Sequence, residues 1–276
     1  MSHKLLENPE ALCNIVRRLA VKAGDVTLSY FDMCGYEGAD QKDDGSPVTA
    51  ADQAAEKVIL DGLKEILPDI PVIAEESVAA GHVPDIGDAP FFWLVDPLDG
   101  TKEFISGSGD YTVNIALIHH GEPVLGVVYA PVNDELYAGF GAGTALRWSE
   151  ESGQDKPIAV RSWPAAGVTV VASRSHGSQD DLDNFLADYK VRKILKRGSS
   201  LKICAVAAGK ADLYPRFGPT CEWDTAAGDA VLRSAGGMMS DFDGKPLLYG
   251  KADKDFYNPY FVAHTEDIFD MDEENA

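Results

Sequence analysis

The chain has 276 residues, of which 45% are hydrophobic, and carries a formal net charge of −21 at pH 7. That length suits one large domain or two tightly joined ones, with enough core to fold without disulfides or structural metals. The acidic field excludes a nucleic-acid polymer as partner, and no apolar run approaches the roughly 18 residues that signal a membrane span.

The first predicted element is a helix opening at Asn8-Pro9-Glu10, with the cap at Asn8 and proline at the first helical position. Leu12, Ile15, Val16, Leu19, Ala20 and Ala23 follow helical spacing behind it. A second helix is expected from about Thr49 to Leu67, stopped by Pro68. Strands follow near Val72–Ala74, Phe91–Val95 and Tyr111–Ile118, the last alternating at Val113, Ile115 and Leu117. A hairpin pairs Val124–Tyr129 with Glu135–Gly139. The polar stretch Ser149 to Pro157 marks a boundary, which divides the chain into residues 1–155, 156–265 and an acidic tail, 266–276. Beyond it strands near 168–172, 191–195 and 211–214 alternate with helices near 179–187, 200–208 and 225–235. Cys13, Cys34, Cys204 and Cys221 are scattered, with no Cys-x-x-Cys pair, which fits a reducing compartment. No apolar signal core opens the chain, so a cytoplasmic location is expected, peripheral attachment to the inner membrane face being compatible with it.

The chemistry concentrates in Asp96-Pro97-Leu98-Asp99-Gly100-Thr101, where an apolar strand runs into two carboxylates, a glycine and a helix start. Carboxylate and carbonyl oxygens suit hard cations, and a Gly-Thr turn opening a helix offers N–H groups to a phosphate. The same string also suits an ordinary turn. Three further segments carry acids at element ends, each with a plainer alternative. Glu75-Glu76 closes a short strand and could be merely solvated. Asp224 precedes an Ala-rich run, where it could act as a helix N-cap. Asp52 stands in the first turn of the second helix, where the dipole favours an acid anyway.

Together, Glu75-Glu76, Asp96 to Thr101, and Trp223-Asp224-Thr225-Ala226-Ala227-Gly228 resemble, in order and spacing, the lithium-sensitive, Mg²⁺-dependent inositol monophosphatase superfamily. Lys102-Glu103-Phe104, Val124 to Pro131, Gly198 to Lys202 and Leu213 to Thr220 resemble its 3′(2′),5′-bisphosphate nucleotidase branch; inositol phosphatases have Thr-Asn-Phe where this chain has Lys-Glu-Phe.

The resemblance implies an α/β fold layered αβαβα, with the metal cluster between an α+β first half and an α/β second half. It implies two or more Mg²⁺ ions, one held by Glu75, Asp96 and the Leu98 carbonyl, a second by Asp96, Asp99 and Asp224. It makes Asp52 and Thr101 the pair that positions and deprotonates water, and gives the Gly100 and Thr101 N–H groups the phosphate. His176, Ser199, Lys202 and Arg216 become contacts to the nucleotide. Lys202 as a solvated helix lysine and His176 as a loop histidine are the plainer alternatives. The implied reaction is release of the 3′-phosphate from adenosine 3′,5′-bisphosphate, a small-molecule substrate of sulfur metabolism, leaving AMP. The rivals are an inositol or sugar phosphatase of the same fold and a non-catalytic, acidic metal-binding regulatory module.

Overall fold

The computed structural model describes residues 2–36, 38–41, 47–173 and 179–265. In chain order the elements are α1 (Ser2–Leu6), α2 (Pro9–Leu28), β1 (Asp40–Gln41), β2 (Pro47–Val48), α3 (Ala50–Ile66), β3 (Val72–Ala74), α4 (Glu75–Ala79), β4 (Phe91–Asp99) and α5 (Thr101–Ile105). There follow β5 (Thr112–His119), β6 (Glu122–Ala130), β7 (Glu135–Gly139), β8 (Leu146–Ser149) and β9 (Lys156–Pro157). The last group is β10 (Val168–Ser173), α6 (Gln179–Phe185), β11 (Val191–Arg197), α7 (Leu201–Ala207), β12 (Leu213–Arg216), α8 (Glu222–Ser234), β13 (Met238–Asp241) and β14 (Phe261–His264).

Two sheets organise the chain. The first runs β3-β4-β5-β6-β7-β8-β9, parallel only at β3/β4. The second runs β11-β10-β12-β14-β13. Period-two alternation sorts the side chains of the first sheet between two cores. Trp93, Val95, Val113, Ile115 and Leu117 face α2 and α3. Phe92, Leu94, Ala116 and Ile118 face α7 and α8, which the second sheet covers from the other side through Val171, Tyr214 and Phe261. α6 closes the outer face of that sheet with Leu182. The layers are therefore αβαβα, as expected.

Local rules explain the two helices that matter first. Asn8 Oδ1 accepts the Ala11 N–H at 3.2 Å, and Pro9 opens α2. α3 buries Ala51, Ala55, Ile59 and Leu63 on one face and stops before Pro68. Close approach seats α8: a side chain on Gly126 of β6 would collide with the Ala227 carbonyl and meet Ala230 Cβ at 2.7 Å.

Four expectations change in detail. The strand expected to end at Val95 continues to Asp99, its register against β5 broken between Asp96 and Asp99, where Pro97 has no N–H to donate. The Glu75-Glu76 pair opens α4 instead of closing a strand. The polar stretch Ser149–Pro157 ends in β9, the outer strand of the first sheet. β13 and β14, which complete the second sheet, were not expected from the sequence.

Candidate active site

Several helix N-termini meet at one cavity of about 630 Å³. Its lining includes Glu75 at the start of α4, Asp99 to Thr101 at the start of α5, Ser199 and Ser200 ahead of α7, and Asp224 and Thr225 in α8. Lys202, Tyr214, Arg216 and Phe217 line it as well. N-terminal N–H groups favour negative charge, which suits both an acidic cluster and an anionic ligand.

The acids come first. Carboxylate oxygens of Glu75, Asp96 and Asp224 lie within 4.8 Å of one another, the one such group among the described residues. Asp96 is 1% exposed. Burial, then Glu75, Asp99 and Asp224, push its carboxyl well above the usual range; burial, Asp99 and Glu75 do the same to Asp224. Three acids converging in a buried space, with hard oxygen donors, fit a divalent cation. Asp96 Oδ1 accepts the Leu98 N–H at 2.9 Å, which fixes the rotamer.

Asp99 lies at the edge of this cluster. Its Oδ2 accepts the Ser200 N–H at 2.5 Å. Burial raises its pKa to about 6 against the opposing pull of Lys202 and that N–H. Ser200 in turn donates to Asn114 Oδ1 at 2.8 Å and meets Thr112 Oγ1 at 2.8 Å. The preceding Ser199 adopts φ +45°, rare for a residue with a side chain, and its Oγ accepts from Thr112 at 3.2 Å.

Asp52 is 2% exposed, and its Oδ2 accepts both the Thr49 N–H at 2.8 Å and the Thr49 hydroxyl at 2.5 Å. Its Oδ1 faces Thr101 Oγ1 at 3.5 Å, and the same hydroxyl lies 3.5 Å from the Leu98 carbonyl. Gly100, at φ +99°, makes the sharp entry to α5 that brings Thr101 there.

Asp224 is not the N-cap of its helix. α8 begins earlier, with Cys221 as cap and Asp224 at the third helical position, where its Oδ2 accepts the Cys221 N–H at 2.9 Å. Lys202 is not solvated: it is 6% exposed, donates to the Ser199 carbonyl at 2.5 Å and lies over the Tyr214 ring. Burial lowers its pKa to about 8, with Asp99 opposing. Arg216 Nη2 donates to the Pro219 carbonyl at 3.1 Å, while its buried Nε has no hydrogen-bond partner among the described residues. His176 lies outside the described residues.

Sequence reasoning missed residues that hold the acids in place. Asn258 Nδ2 donates to the Cys221 carbonyl at 2.8 Å and to Thr225 Oγ1 at 2.9 Å, tying a distant loop to the start of α8. Glu56, on α3, accepts from the Glu76 N–H and the Ser77 hydroxyl. Its place one helical turn after Asp52 was the only sequence signal for it.

The inositol monophosphatase family model matches residues 8–265. The chain is 49% identical over 246 residues to the 3′(2′),5′-bisphosphate nucleotidase CysQ of Escherichia coli O157:H7, which covers 89% of this chain and 96% of that protein. The crystal structure of CysQ from Bacteroides thetaiotaomicron superposes with a TM-score of 0.75 at 36% identity, over 93% of this chain and 98% of that one. The inositol monophosphatase of Anabaena superposes with a TM-score of 0.73 at 27% identity, over 95% and 93%. With a family match across nearly its whole length and layered sheets to suit, the chain belongs to the inositol monophosphatase family.

Proposed function

We propose that this chain is a Mg²⁺-dependent 3′(2′),5′-bisphosphate nucleotidase that releases the 3′-phosphate of adenosine 3′,5′-bisphosphate, leaving AMP. One observation carries the choice of substrate. The cavity lined by Glu75, Asp99 and Asp224 is also lined by the cations Lys202 and Arg216, with Lys102 next to Thr101. A substrate with one phosphate needs the triad; a second phosphate explains the cations, which are scarce in a chain of net charge −21.

Glu75, Asp96 and Asp224 would hold the metal, with Asp99 and the Leu98 carbonyl as further oxygen donors. Bound there, Mg²⁺ supplies Lewis acidity toward the phosphoryl oxygens and acidifies the attacking water. The protein's own part is positional. Thr101 Oγ1 accepts a hydrogen bond from the water and passes its own hydrogen toward Asp52 Oδ1, the carboxylate being fixed by Thr49 at its other oxygen. The water oxygen attacks phosphorus as the bond to the ribose 3′ oxygen breaks, the departing oxygen takes a proton from a solvent water to become the 3′ hydroxyl of AMP, and the Gly100 and Thr101 N–H groups hold the phosphoryl oxygens. Ser199, Lys202 and Arg216 hold the remainder of the nucleotide, and Lys202 keeps its own position through the Ser199 carbonyl.

The cytoplasm is the compartment in keeping with the free thiols of Cys13, Cys34, Cys204 and Cys221. No helix among the described residues is long and apolar enough to cross a membrane.

The test is phosphate release from adenosine 3′,5′-bisphosphate, inositol 1-phosphate and fructose 1,6-bisphosphate, with and without Mg²⁺ and with added lithium. The expected result is Mg²⁺-dependent, lithium-inhibited turnover with the nucleotide far ahead. Preference for inositol 1-phosphate would replace this reading with that of the sugar phosphatases. Absence of turnover on every substrate would leave a metal-binding module.

A further inference from the structure

α4 cannot hold itself in place. It has five residues, its N-cap is Ala74, and no side chain from the cap position satisfies its first N–H groups. Yet its first residue, Glu75, contributes to the acidic triad, so a small rotation of this turn would move a carboxylate out of the cluster. The missing partner comes from another element. Glu56 Oε2 accepts the Glu76 N–H at 2.8 Å, and Glu56 Oε1 accepts the Ser77 hydroxyl at 2.6 Å.

Glu56 is itself 5% exposed, and burial raises its pKa, with Glu75 adding to the rise. A buried carboxylate beside other acids does not favour stability. Its site on α3 supplies the reason for it. Asp52 and Glu56 are four apart on one 17-residue helix anchored to the first sheet by Ile59 and Leu63. Four residues of helix rise about 6 Å. The first acid faces Thr101 and the second grips the turn that carries Glu75.

We propose that Glu56 is a positioning residue for the metal site, fixing the carboxylate of Glu75 relative to the Asp52–Thr101 pair through the shared helix α3. This rests on the reading of Glu75 as a metal ligand. Losing an outer partner of a metal ligand typically weakens metal binding by roughly 10- to 100-fold.

The test is calorimetric Mg²⁺ binding to the full chain without substrate, beside thermal unfolding with and without Mg²⁺. Glu56→Ala should weaken Mg²⁺ binding by roughly 10- to 100-fold. Glu56→Gln should restore most of it, since the amide oxygen accepts the Glu76 N–H and the amide nitrogen donates to Ser77 Oγ. Ser77→Ala, which removes one of the two bonds, should fall between and serves if Glu56→Ala fails to fold. Glu75→Gln is the control for the ligand itself. Wild-type Mg²⁺ affinity in Glu56→Ala and Ser77→Ala, with affinity lost in Glu75→Gln, overturns the positioning role alone. Wild-type affinity in Glu75→Gln overturns the ligand assignment and the positioning role with it. Loss in Glu56→Gln as deep as in Glu56→Ala would mean that charge, and not position, is what Glu56 supplies.

Discussion

Asp52 and Asp224 hold the same position in the same motif on two different helices. Each is the third residue of its helix, and each accepts the backbone N–H of the cap residue: Thr49 to Asp52 Oδ2 at 2.8 Å, Cys221 to Asp224 Oδ2 at 2.9 Å. The capping box thus pins one oxygen of each acid, while the other oxygen of Asp52 faces Thr101 and Asp224 lines the cavity. A structural rule for helix starts and a chemical requirement for oriented carboxylates are met by the same two side chains.

Asp96→Asn should abolish turnover while the protein stays folded. An amide is a poorer ligand for a hard cation, and the loss should exceed the roughly 100-fold typical of an outer-shell change. The metal-free variant should unfold at a higher temperature than the metal-free parent, because a buried acid beside Glu75, Asp99 and Asp224 has been neutralised. Circular dichroism with a phosphate assay checks both. Near-normal turnover at saturating Mg²⁺ would remove Asp96 from the metal site.

The metal-free protein should lose stability as pH rises from about 4 toward 8. Asp96, Asp99 and Asp224 all have folded pKa values above their unfolded ones, so the folded state binds more protons than the unfolded chain. Their favourable contribution is complete below about pH 4, the unfolded value, and is lost as pH climbs through the folded values, about 6 for Asp99. The window closes near pH 8, where Lys202, with its pKa lowered to about 8, begins to act in the opposite sense. Mg²⁺ must displace these protons. It should therefore raise the melting temperature more at about pH 8 than at about pH 5.5. An equal shift at both values in a melting series with chelator and with Mg²⁺ would contradict the account.

Thr101→Ala should lower kcat by roughly 10²- to 10⁴-fold, the usual worth of positioned proton transfer. Thr101→Ser should keep most of the rate, because the hydroxyl alone faces Asp52. Thr49→Ala should cost about 1 kcal/mol of stability through the lost cap, with a smaller fall in kcat as Asp52 loosens. Steady-state kinetics and denaturant titration separate these effects. Equal activity of the Ala and Ser variants at position 101 would assign the water to another group.

Lys202→Ala should lower kcat/KM on adenosine 3′,5′-bisphosphate by roughly ten- to a hundredfold, since a charge-assisted bond to phosphate is worth about 1.5–3 kcal/mol. A substrate with a single phosphate should lose far less. Because the ammonium also holds the Ser199 carbonyl, an equal loss on both substrates would mean that Lys202 supports the loop and does not select the nucleotide.

Much of this molecule is written locally in its chain. The Asn8-Pro9 start fixes α2, apolar spacing and Pro68 bound α3, and alternation in β5 places Val113, Ile115 and Leu117 on one face of a sheet. The family resemblance came from short acidic strings whose order survives in sequence, and the family match across residues 8–265 confirms it. What the chain did not reveal depends on neighbours distant in sequence. β13 and β14 are four-residue runs without period, and they become strands only because β12 and each other lie alongside. Glu75 opens a helix that Glu56 stabilises from twenty residues upstream. Lys202 has the composition of a surface helix lysine, yet the two sheets close over α7 and bury it against Tyr214. Sequence patterns record periodicity, caps and breakers, which act within a few residues. Burial and the meeting of carboxylates depend on how whole layers stack, and only the tertiary structure decides that.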